Sequence, residues 1–335
     1  MATIKDVAKL AGVAVSTASI ALNGKDKVSE ETKQKVLDAA KQLNYQKHGA
    51  AMDLKRSSTK TIALILNDLS GPFYSELIKG VQEVTIANGY DLIACSSLGG
   101  PESTAVKFLK EKRVDGVIIL ASNVSDDIIK SSQREKFPIV LLDRYLDGEE
   151  LLTVQVDNEQ GGYLATEHLL NLGHKKVAFI SGSNYSYDNK KRFEGYKRAL
   201  MEHGISYETK WNISGNFTRE GGYSATRTLI AQGDLPTAIF YANDEMAIGG
   251  LKAFEEKGIN VPGDVSVVGF DDIQIAEYVT PGLTTVRQPK YEMGTLAAHI
   301  LFQSLIEQQM NEKYYKLSTE IIIRKSCGVP SKTTP

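Results

Sequence analysis

Hydrophobic residues recur at helical spacing at the very start of the chain. Ile4, Val7, Ala8 and Leu10 fall on one face of a predicted short helix, and Thr3 occupies its N-cap position. Apolar residues at this spacing form a stripe that a helix buries against its neighbours. The pattern therefore predicts a first helix with these four side chains turned toward a core.

Two more short helices are predicted after a turn at Gly12. The second helix begins near Val15 and Ser16 and runs to Asn23, with Ser16 as its candidate N-cap. The third helix has Ser29 as its candidate N-cap. The expected burial positions of the third helix are Val36, Leu37, Ala40 and Leu43. Two short helices around a glycine-containing turn, braced by a third, are typical of a helix-turn-helix. A generic three-helix bundle is the alternative that the pattern leaves open.

From Thr61 onward, short apolar runs alternate with amphipathic helical stretches. The first set of predicted elements is Thr61–Leu66 (strand), Phe73–Ala87 (helix), Tyr90–Cys95 (strand), Ser103–Lys112 (helix), Val114–Leu120 (strand) and Pro138–Asp143 (strand). The second set is Gln160–Leu172 (helix), Lys176–Ser181 (strand), Lys191–His203 (helix), Thr237–Tyr241 (strand), Asp244–Lys257 (helix) and Asp264–Phe270 (strand). Such alternation calls for parallel sheets covered by helices. Its length favours two α/β lobes over one sheet.

Polar side chains follow several of these predicted strands. In open α/β sheets, ligands bind beyond the carboxyl ends of the strands. The residue pairs expected near a binding cleft are therefore Asn67–Asp68, Asp143–Arg144, Asn243–Asp244 and Asp271–Asp272.

Charge is distributed unevenly along the chain. The 335 residues carry a formal net charge of -2, but residues 1–60 contain 11 Lys+Arg and 6 Asp+Glu, a balance of +5 that leaves -7 for the rest. A basic first part on an acidic remainder suggests a polyanionic partner for the first part alone. The second helix adds small polar residues, Ser16, Thr17 and Ser19, which suit an element lying close against DNA.

No catalytic or cofactor-binding motif is found in the sequence. It has no G-x-S-x-G elbow, no Walker-type loop and no G-x-G-x-x-G after the first strand. The five histidines lack metal-ligand spacing, and His174 is expected in a surface turn within L-G-H-K-K. The two cysteines, Cys95 and Cys327, are far apart, which argues against a disulfide framework and fits a reducing cytosol. We therefore expect a binding protein without metal or cofactor rather than an enzyme.

A cytoplasmic location is expected from the apolar segments. No stretch approaches the roughly 18 apolar residues needed to span a bilayer. The first residues show no long apolar run after a basic leader. A transport-type sugar-binding protein would need such a leader and no basic head, so that class is disfavoured.

The first part of the chain resembles the head of the lactose-repressor/galactose-repressor family. The similar runs are T-I-K-D-V-A-K-L-A-G-V-A-V-S-T-A-S-I-A-L-N-G and V-S-E-E-T-K-Q-K-V-L-D-A-A-K-Q-L-N-Y. The resemblance implies a helix-turn-helix DNA-binding domain over residues 1–46. It implies base contacts from Val15, Ser16 and Ile20, and contacts to the DNA backbone from Thr17, Ser19 and Asn23. Thr3 belongs to the same implied set of DNA contacts.

Residues 47–60 have the polar composition of a linker. The resemblance implies that this segment becomes a short hinge helix on DNA and inserts a leucine into the minor groove, which would bend the duplex. Leu54 matches that leucine, Ala51 matches a small residue beside it, and Lys55 is placed to meet a phosphate. Because Lys47 and His48 replace a common Pro-Asn pair, a hinge helix and a flexible tether both stay open.

The remaining chain, residues 61–335, resembles the body of the same family. The similar runs include V-D-N-E-Q-G-G, R-F-E-G-Y, Y-A-N-D-E-M-A-I-G and D-V-S-V-V-G-F-D-D. The resemblance implies two doubly wound parallel-sheet lobes of periplasmic-binding-protein type, joined by three crossings. The implied lobes are 61–160 plus 291–320 and 161–290 plus 321–335. The implied effector-binding residues are Phe73, Tyr74, Asp143, Arg192, Phe217, Asn243 and Asp271.

Together these features predict a repressor of carbohydrate-utilisation genes. A homodimer would sit on a palindromic operator in double-stranded DNA, because two-fold protein symmetry matches two-fold operator symmetry. A small sugar in the cleft would release it. The C-terminal residues have no leucine heptads, which favours a dimer over a tetramer. Two alternatives stay open: a catabolite-control regulator activated by a protein corepressor, and a purine-type repressor that needs a corepressor.

One departure from the family pattern predicts a changed operator. The family usually has Arg at the position of Ile20, and Arg donates two hydrogen bonds to guanine, whereas Ile makes only apolar contacts such as that with a thymine methyl. Ile20→Arg should therefore shift the preferred base at one operator position toward G. Binding selections on random duplexes would check this, and one identical motif from both proteins would contradict it.

Overall fold

The computed structural model describes residues 2–23, 27–46, 58–111, 113–146, 151–183, 186–307, 310 and 312–331. Its backbone divides into two units, Met1–Thr59 and Lys60–Pro335. The predicted hinge contacts Ala51, Leu54 and Lys55 lie outside the described residues.

Three helices form the first unit: α1 (Ile4–Ala11), α2 (Val15–Leu22) and α3 (Glu30–Gln42). Thr3 caps α1 as predicted, since its backbone N–H and its hydroxyl both donate to the Asp6 carboxylate at 2.8 Å. Ser29 caps α3 by accepting from the Thr32 N–H at 3.3 Å. The prediction for α2 was wrong in detail, because Ala14 is its N-cap and Ser16 lies inside the helix.

Small residues dominate the buried core of this unit. The core consists of Val7, Ala8, Ala18, Ala21, Val36, Ala39 and Ala40. Two leucines predicted to be buried are not, since Leu10 is 47% and Leu37 is 42% exposed. Leu37 directly follows the buried Val36, so it points about 100° away from that residue around the helix. Ala11, rather than Leu10, completes the buried face of α1.

The second unit contains nine α-helices and twelve strands in its described residues. The helices are α4 (Phe73–Ala87), α5 (Thr104–Lys110), α6 (Asp126–Ser132), α7 (Asn158–Asn171), α8 (Tyr187–Glu202), α9 (Arg219–Ala231), α10 (Asp244–Glu256), α11 (Ile275–Tyr278) and α12 (Lys290–Ile306). The strands are β1 (Thr61–Leu66), β2 (Asp91–Ser96), β3 (Gly116–Leu120), β4 (Ile139–Leu142), β5 (Leu152–Val156), β6 (Val177–Ser181), β7 (Asn212–Ser214), β8 (Ala238–Tyr241), β9 (Ser266–Asp271), β10 (Thr284–Arg287), β11 (Tyr314–Leu317) and β12 (Glu320–Ile322).

The strands form two six-stranded sheets, as the alternating pattern predicts. The first has the order β11-β5-β4-β3-β1-β2 and is parallel throughout, in the register Ile62↔Leu92 for β1 and β2. The second has the order β12-β10-β9-β8-β6-β7, and only β12 runs antiparallel to its neighbour. Helices cover both sheets, and β1, β4, β6, β8 and β9 are buried along their whole length apart from Thr61. This burial explains their continuous apolar runs.

The chain passes between the two sheets three times. It leaves the first sheet after β5, because α7 packs on α8 and on strands of the second sheet. It returns between β10 and α12, which packs on α4 and the first sheet, and it passes again between β11 and β12. The first crossing, at residues 157–158, comes before the expected boundary at 160. These three segments are the connections that join the lobes.

Several elements escaped the periodicity analysis. Strand β5 and helices α9 and α12 have no predicted counterpart, and α8 starts at Tyr187 rather than at the predicted Lys191. The first turn of α8 is polar (Tyr187–Lys190), so it gives no apolar period to detect. This difference places Asp188 on the helix.

His174 was predicted in a surface turn, and that prediction is wrong. Its side chain is 2% exposed, with Nδ1 2.9 Å from the Thr237 hydroxyl and Nε2 3.0 Å from the Ser266 hydroxyl and 2.9 Å from the Gly328 carbonyl. These groups lie at the amino ends of β8 and β9, where buried polar groups need partners. Burial lowers the pKa of His174. The imidazole therefore has a structural role in the second sheet.

Within the described residues, no helix is both long and apolar enough to cross a membrane.

Candidate functional sites

A cavity of about 740 Å³ lies at the carboxyl ends of the strands of both sheets. All seven residues implied as effector contacts line it: Phe73, Tyr74, Asp143, Arg192, Phe217, Asn243 and Asp271. We call this cavity the cleft. Its position follows the rule for ligand sites in open α/β sheets, and its volume falls in the usual range for small-molecule pockets.

Two of the strand-end residues expected near the cleft are not in its lining. Asp244 is fully buried, where it accepts hydrogen bonds from the Thr285 hydroxyl at 2.5 Å and the Ile273 N–H at 2.9 Å. Asp272 is held by Arg287 and Arg324 at 2.7 Å each and lines a different cavity. Asp271 and Asp272, although adjacent in sequence, therefore line different cavities.

Arg192 on α8 is fixed at the floor of the cleft and is only 3% exposed. Its Nε donates to Asn158 Oδ1 at 2.8 Å, and NH1 donates to the Ala242 carbonyl at 2.5 Å. The Phe270 ring lies under the guanidinium, 3.8 Å from its central carbon to the ring centroid. A guanidinium held on three sides in this way keeps one orientation, which favours specific recognition.

Asp271 closes β9 with a positive φ of 116°, a strained conformation for a residue other than glycine. Its Oδ1 accepts from Gln288 Nε2 at 2.6 Å and lies 3.5 Å from Arg192 NH1. Lys290 Nζ donates to the Asp271 carbonyl at 2.5 Å. Burial raises the pKa of Asp271 to about 6, although Arg192 and Lys290 oppose the shift. Strain maintained by so many contacts is typical of functional positions.

Asp143 ends β4 on the opposite side of the cleft, also with a positive φ, of 46°. The Val156 N–H donates to its Oδ1 at 2.7 Å. Burial raises the pKa of Asp143 to about 7 against the opposing effects of that hydrogen bond and of Arg192. Near neutral pH the carboxyl group is therefore partly protonated, so it can either donate to or accept from a ligand hydroxyl.

Aromatic rings come from both lobes. Phe73 and Tyr74 on α4 meet edge to face, with centroids 5.5 Å apart and ring planes at 87°. From the other side, Phe217 has a φ of 62° and its ring covers Gly182, where a β-carbon would lie 2.1 Å from a ring atom. Asn243 caps α10 and donates to the Phe217 carbonyl at 3.1 Å, so it positions that ring.

Asp188, in the first turn of α8, was missed by the sequence analysis. It lines the cleft, and its Oδ2 lies 3.4 Å from Arg192 NH2. Asp188 precedes Lys191, the predicted start of α8, and so lies outside the predicted helix. The signal that could have found it is the spacing of four residues to Arg192, which places an acid and a base on one helix face.

In the first unit, the implied DNA contacts on α2 are accessible. Val15 and Ser16 are exposed, Thr17, Ser19 and Ile20 are half-buried, and the intervening Ala18 and Ala21 face the core. Asn23, after α2, and Thr3, before α1, are exposed. The helix carries no charged side chain, so none of its residues repels a phosphate. Its outer face is therefore small, neutral and able to approach a groove closely.

Comparison with known proteins agrees with both halves of this description. Residues 3–48 match the model for bacterial regulatory proteins of the lacI family, and residues 166–327 match a periplasmic binding protein-like domain. The HTH-type transcriptional repressor PurR of Photobacterium profundum is 38% identical over 329 residues, or 97% of this chain and 98% of the relative.

Two solved structures cover almost the whole chain. A transcriptional regulator CelR-cellobiose complex has 31% identity and a TM-score of 0.74, covering 97% of this chain and all of the other. The lac repressor dimer bound to operator and the anti-inducer ONPF has 28% identity and a TM-score of 0.81, covering 98% and 99% of the two chains.

Fold and sites together define a DNA-binding regulator with a helix-turn-helix head and a periplasmic-binding-protein-like body. More narrowly, the chain belongs to the lacI family of bacterial transcriptional repressors. The family assignment and the fold class predicted from sequence are both confirmed, while the type of effector stays open.

The raised pKa of Asp143 predicts a gain in stability when its charge is removed. The folded-state pKa of about 7 lies above the ordinary 3.8, so the folded protein holds a proton that the unfolded chain releases, and stability is lost as the pH rises through this range. Asp143→Asn should therefore raise the free energy of unfolding by about 1–3 kcal/mol more at pH 8 than at pH 5. Urea denaturation followed by circular dichroism at both pH values would measure this.

Asp234→Asn is the matched control for this prediction. Lys176 and Lys210 hold the pKa of Asp234 down at about 2, so removal of this exposed charge should give no gain at pH 8. An equal gain from Asp143→Asn at the two pH values would contradict the assignment of a raised pKa.

Proposed function

We propose that the cleft binds an uncharged sugar and that sugar binding releases the repressor from its operator. The observation that carries this proposal is the combination of carboxylates, a guanidinium and aromatic rings at the strand ends of both lobes. Carboxylate and guanidinium groups form hydrogen bonds with vicinal hydroxyls. The rings of Phe73, Tyr74 and Phe217 offer apolar surfaces for the C–H faces of a sugar ring.

The relatives support two kinds of effector. The CelR neighbour is a complex with cellobiose, which favours a sugar. The curated relatives named PurR favour the purine-type alternative, in which a corepressor tightens DNA binding. A protein corepressor, as in catabolite control, is the third possibility. A sugar inducer would weaken operator binding, whereas a purine corepressor would strengthen it. A protein corepressor would be indicated if no small molecule alone changes operator affinity.

We propose that α2 reads the operator through the major groove. Val15, Ser16 and Ile20 would contact base edges, with Thr17, Ser19, Asn23 and Thr3 on the DNA backbone, because these residues are accessible and uncharged. Ala51, Leu54 and Lys55 would add minor-groove and phosphate contacts from the hinge.

Effector binding would act on the angle between the lobes. Asp271 belongs to the second sheet, whereas Lys290, which donates to its carbonyl, begins α12 on the first lobe. Lys290 is 2% exposed, and its Nζ lies 3.6 Å from Glu76 on α4 of the first lobe. A ligand that moves Asp271 would therefore move a crossing connection. It can shift the lobe equilibrium only by its difference in affinity for the two arrangements.

We also propose that the body forms a homodimer. Ile275 and Tyr278 lie one turn apart on α11 and are 40% and 72% exposed. Apolar side chains exposed together in this way mark protein contacts. The lac repressor neighbour is described as a dimer on its operator.

A panel of sugars and purine bases tests the proposed effector. The operator motif is first selected from random duplexes, and its affinity is then measured by fluorescence anisotropy with each ligand. At least one mono- or disaccharide should weaken operator binding about ten-fold or more, a coupling of about 1.4 kcal/mol. Arg192→Lys should abolish this response, because Lys cannot reproduce the guanidinium fork. Arg198→Lys, on the same helix but outside the lining of the cleft, is the matched control and should retain the response to the sugar.

The opposite sign would refute release by sugar. Tighter operator binding with a purine base, and no effect of any sugar, would establish the corepressor alternative. No response to either class, with tighter operator binding once a protein corepressor is added, would establish the third.

The dimer is tested by analytical ultracentrifugation of the full chain at micromolar concentration. A dimer is expected. Tyr278→Lys should shift the equilibrium toward the monomer, because the lysine charge would be buried in the dimer interface. Met201→Lys, on α8 and 72% exposed like Tyr278, is the control. A stable tetramer, or single chains in the wild type, would contradict the proposal.

A further inference from the structure

The interior of the cleft has an excess of negative charge. Three acidic side chains, Asp143, Asp188 and Asp271, share the cleft with Arg192, and the two carboxylates nearest the guanidinium, Asp188 and Asp271, already exceed its charge without Asp143. The other two arginines among the described lining residues are engaged with acids, Arg144 with Asp126 and Arg219 with Glu245. The charge of these pairs is already balanced, so they do not offset the carboxylates of Asp188 and Asp271.

Acceptors of the protein already surround the guanidinium of Arg192 where it lines the cleft. Its Nε and NH1 donate to Asn158 and to the Ala242 carbonyl. Its NH2 lies 3.4 Å from Asp188, and its NH1 lies 3.5 Å from Asp271. An anionic ligand that approached Arg192 would have to displace or face these carboxylates.

Asp188 is the carboxylate with the most freedom to act on a ligand. Asp271 is held by Gln288, and Asp143 is held by the Val156 N–H. Asp188, by contrast, has 24% of its side chain exposed in the cleft. Its field reaches the other groups of the site, because it is among the causes that raise the pKa values of Tyr74, Asp143 and Asp271.

We propose that Asp188 determines the charge selectivity of the cleft. It makes the cleft accept a polyhydroxylated ligand that is uncharged or carries an ammonium group, and reject one that carries a phosphate. The class of ligand rests on the proposed function, whereas the exclusion of anions follows from the charges alone. A phosphorylated sugar would then leave operator affinity unchanged, and only the unphosphorylated sugar would release the repressor.

The size of the effect follows from Coulomb's law. At an effective dielectric constant of about 20 and a separation of about 5 Å, one unit charge changes the affinity of an anion by on the order of a hundred-fold. Relaxation and bound counterions reduce this, so about ten-fold is the effect to expect from removing the charge.

Inorganic phosphate is a probe that does not depend on knowing the sugar. Its affinity would be measured by isothermal titration with the full-length wild type, Asp188→Asn and Asp188→Ser, at constant ionic strength. Both variants should bind phosphate about ten-fold more tightly than the wild type. Glu220→Gln removes an exposed charge at the rim of the same cleft and is the matched control, for which a change below about three-fold is expected because solvent screens it. Thermal unfolding without ligand confirms that each variant is folded.

The second arm uses matched sugars: D-glucose, D-glucosamine and D-glucose 6-phosphate, or the same three forms of whichever sugar releases the operator. The phosphorylated form should bind the wild type at least ten-fold more weakly than its parent, and Asp188→Asn should narrow that gap. Equal phosphate affinity in wild type and both variants, an equal effect of Glu220→Gln, or equal binding of parent and phosphorylated sugar would overturn the proposal. If no sugar binds but both Asp188 variants gain phosphate affinity, the sugar effector is refuted while the charge selectivity stands.

Discussion

The buried guanidinium of Arg192 is the group on which the geometry of the cleft depends. It joins α7 through Asn158, β8 through the Ala242 carbonyl and β9 through Phe270 and Asp271. A cation buried to this extent is stable only with partners, and loss of one member of such a pair typically costs about 3–5 kcal/mol. The raised pKa values of Asp143 and Asp271 show that the carboxylates, too, are held where water cannot fully solvate them. The site is thus maintained at a cost in stability, as is common for functional clefts.

Asp271 connects the cleft to one of the segments that cross between the two lobes. On its cleft side Asp271 meets Arg192, and on its other side Gln288 and Lys290 hold it from the connection that crosses between the lobes. Lys290 also approaches Glu76 in the first lobe. Coupling between a ligand and the lobe angle requires a structural element that both can bias. We propose the crossing at residues 288–290 as that element, because it carries contacts to both lobes within three residues.

The sequence predicted the architecture well where one physical signal dominates. Buried parallel strands give continuous apolar runs, so β1 and α4 were predicted at their observed bounds, and the polar residues after such strands pointed to the cleft. Prediction failed where tertiary contacts decide. The imidazole of His174 turns inward to satisfy Thr237 and Ser266, which lie far away in sequence. Asp188 was missed because a polar helical turn has no apolar period. Phe73, Tyr74, Arg192 and Phe217 came only from the resemblance to a family, because they do not directly follow a predicted strand.

Charge organises this protein at two scales. Along the chain, a balance of +5 in residues 1–60 and -7 in the remainder directs a polyanion such as DNA to the head. Within the body, the carboxylates around Arg192 extend the same negative character into the cleft, where low-dielectric walls strengthen it. Both the DNA and a phosphorylated metabolite are anions, and the net excess of positive charge lies in residues 1–60 rather than around Arg192. A repressor built this way can carry two binding surfaces in one chain without competition between their ligands, because the charge of the DNA that suits the head excludes it from the cleft.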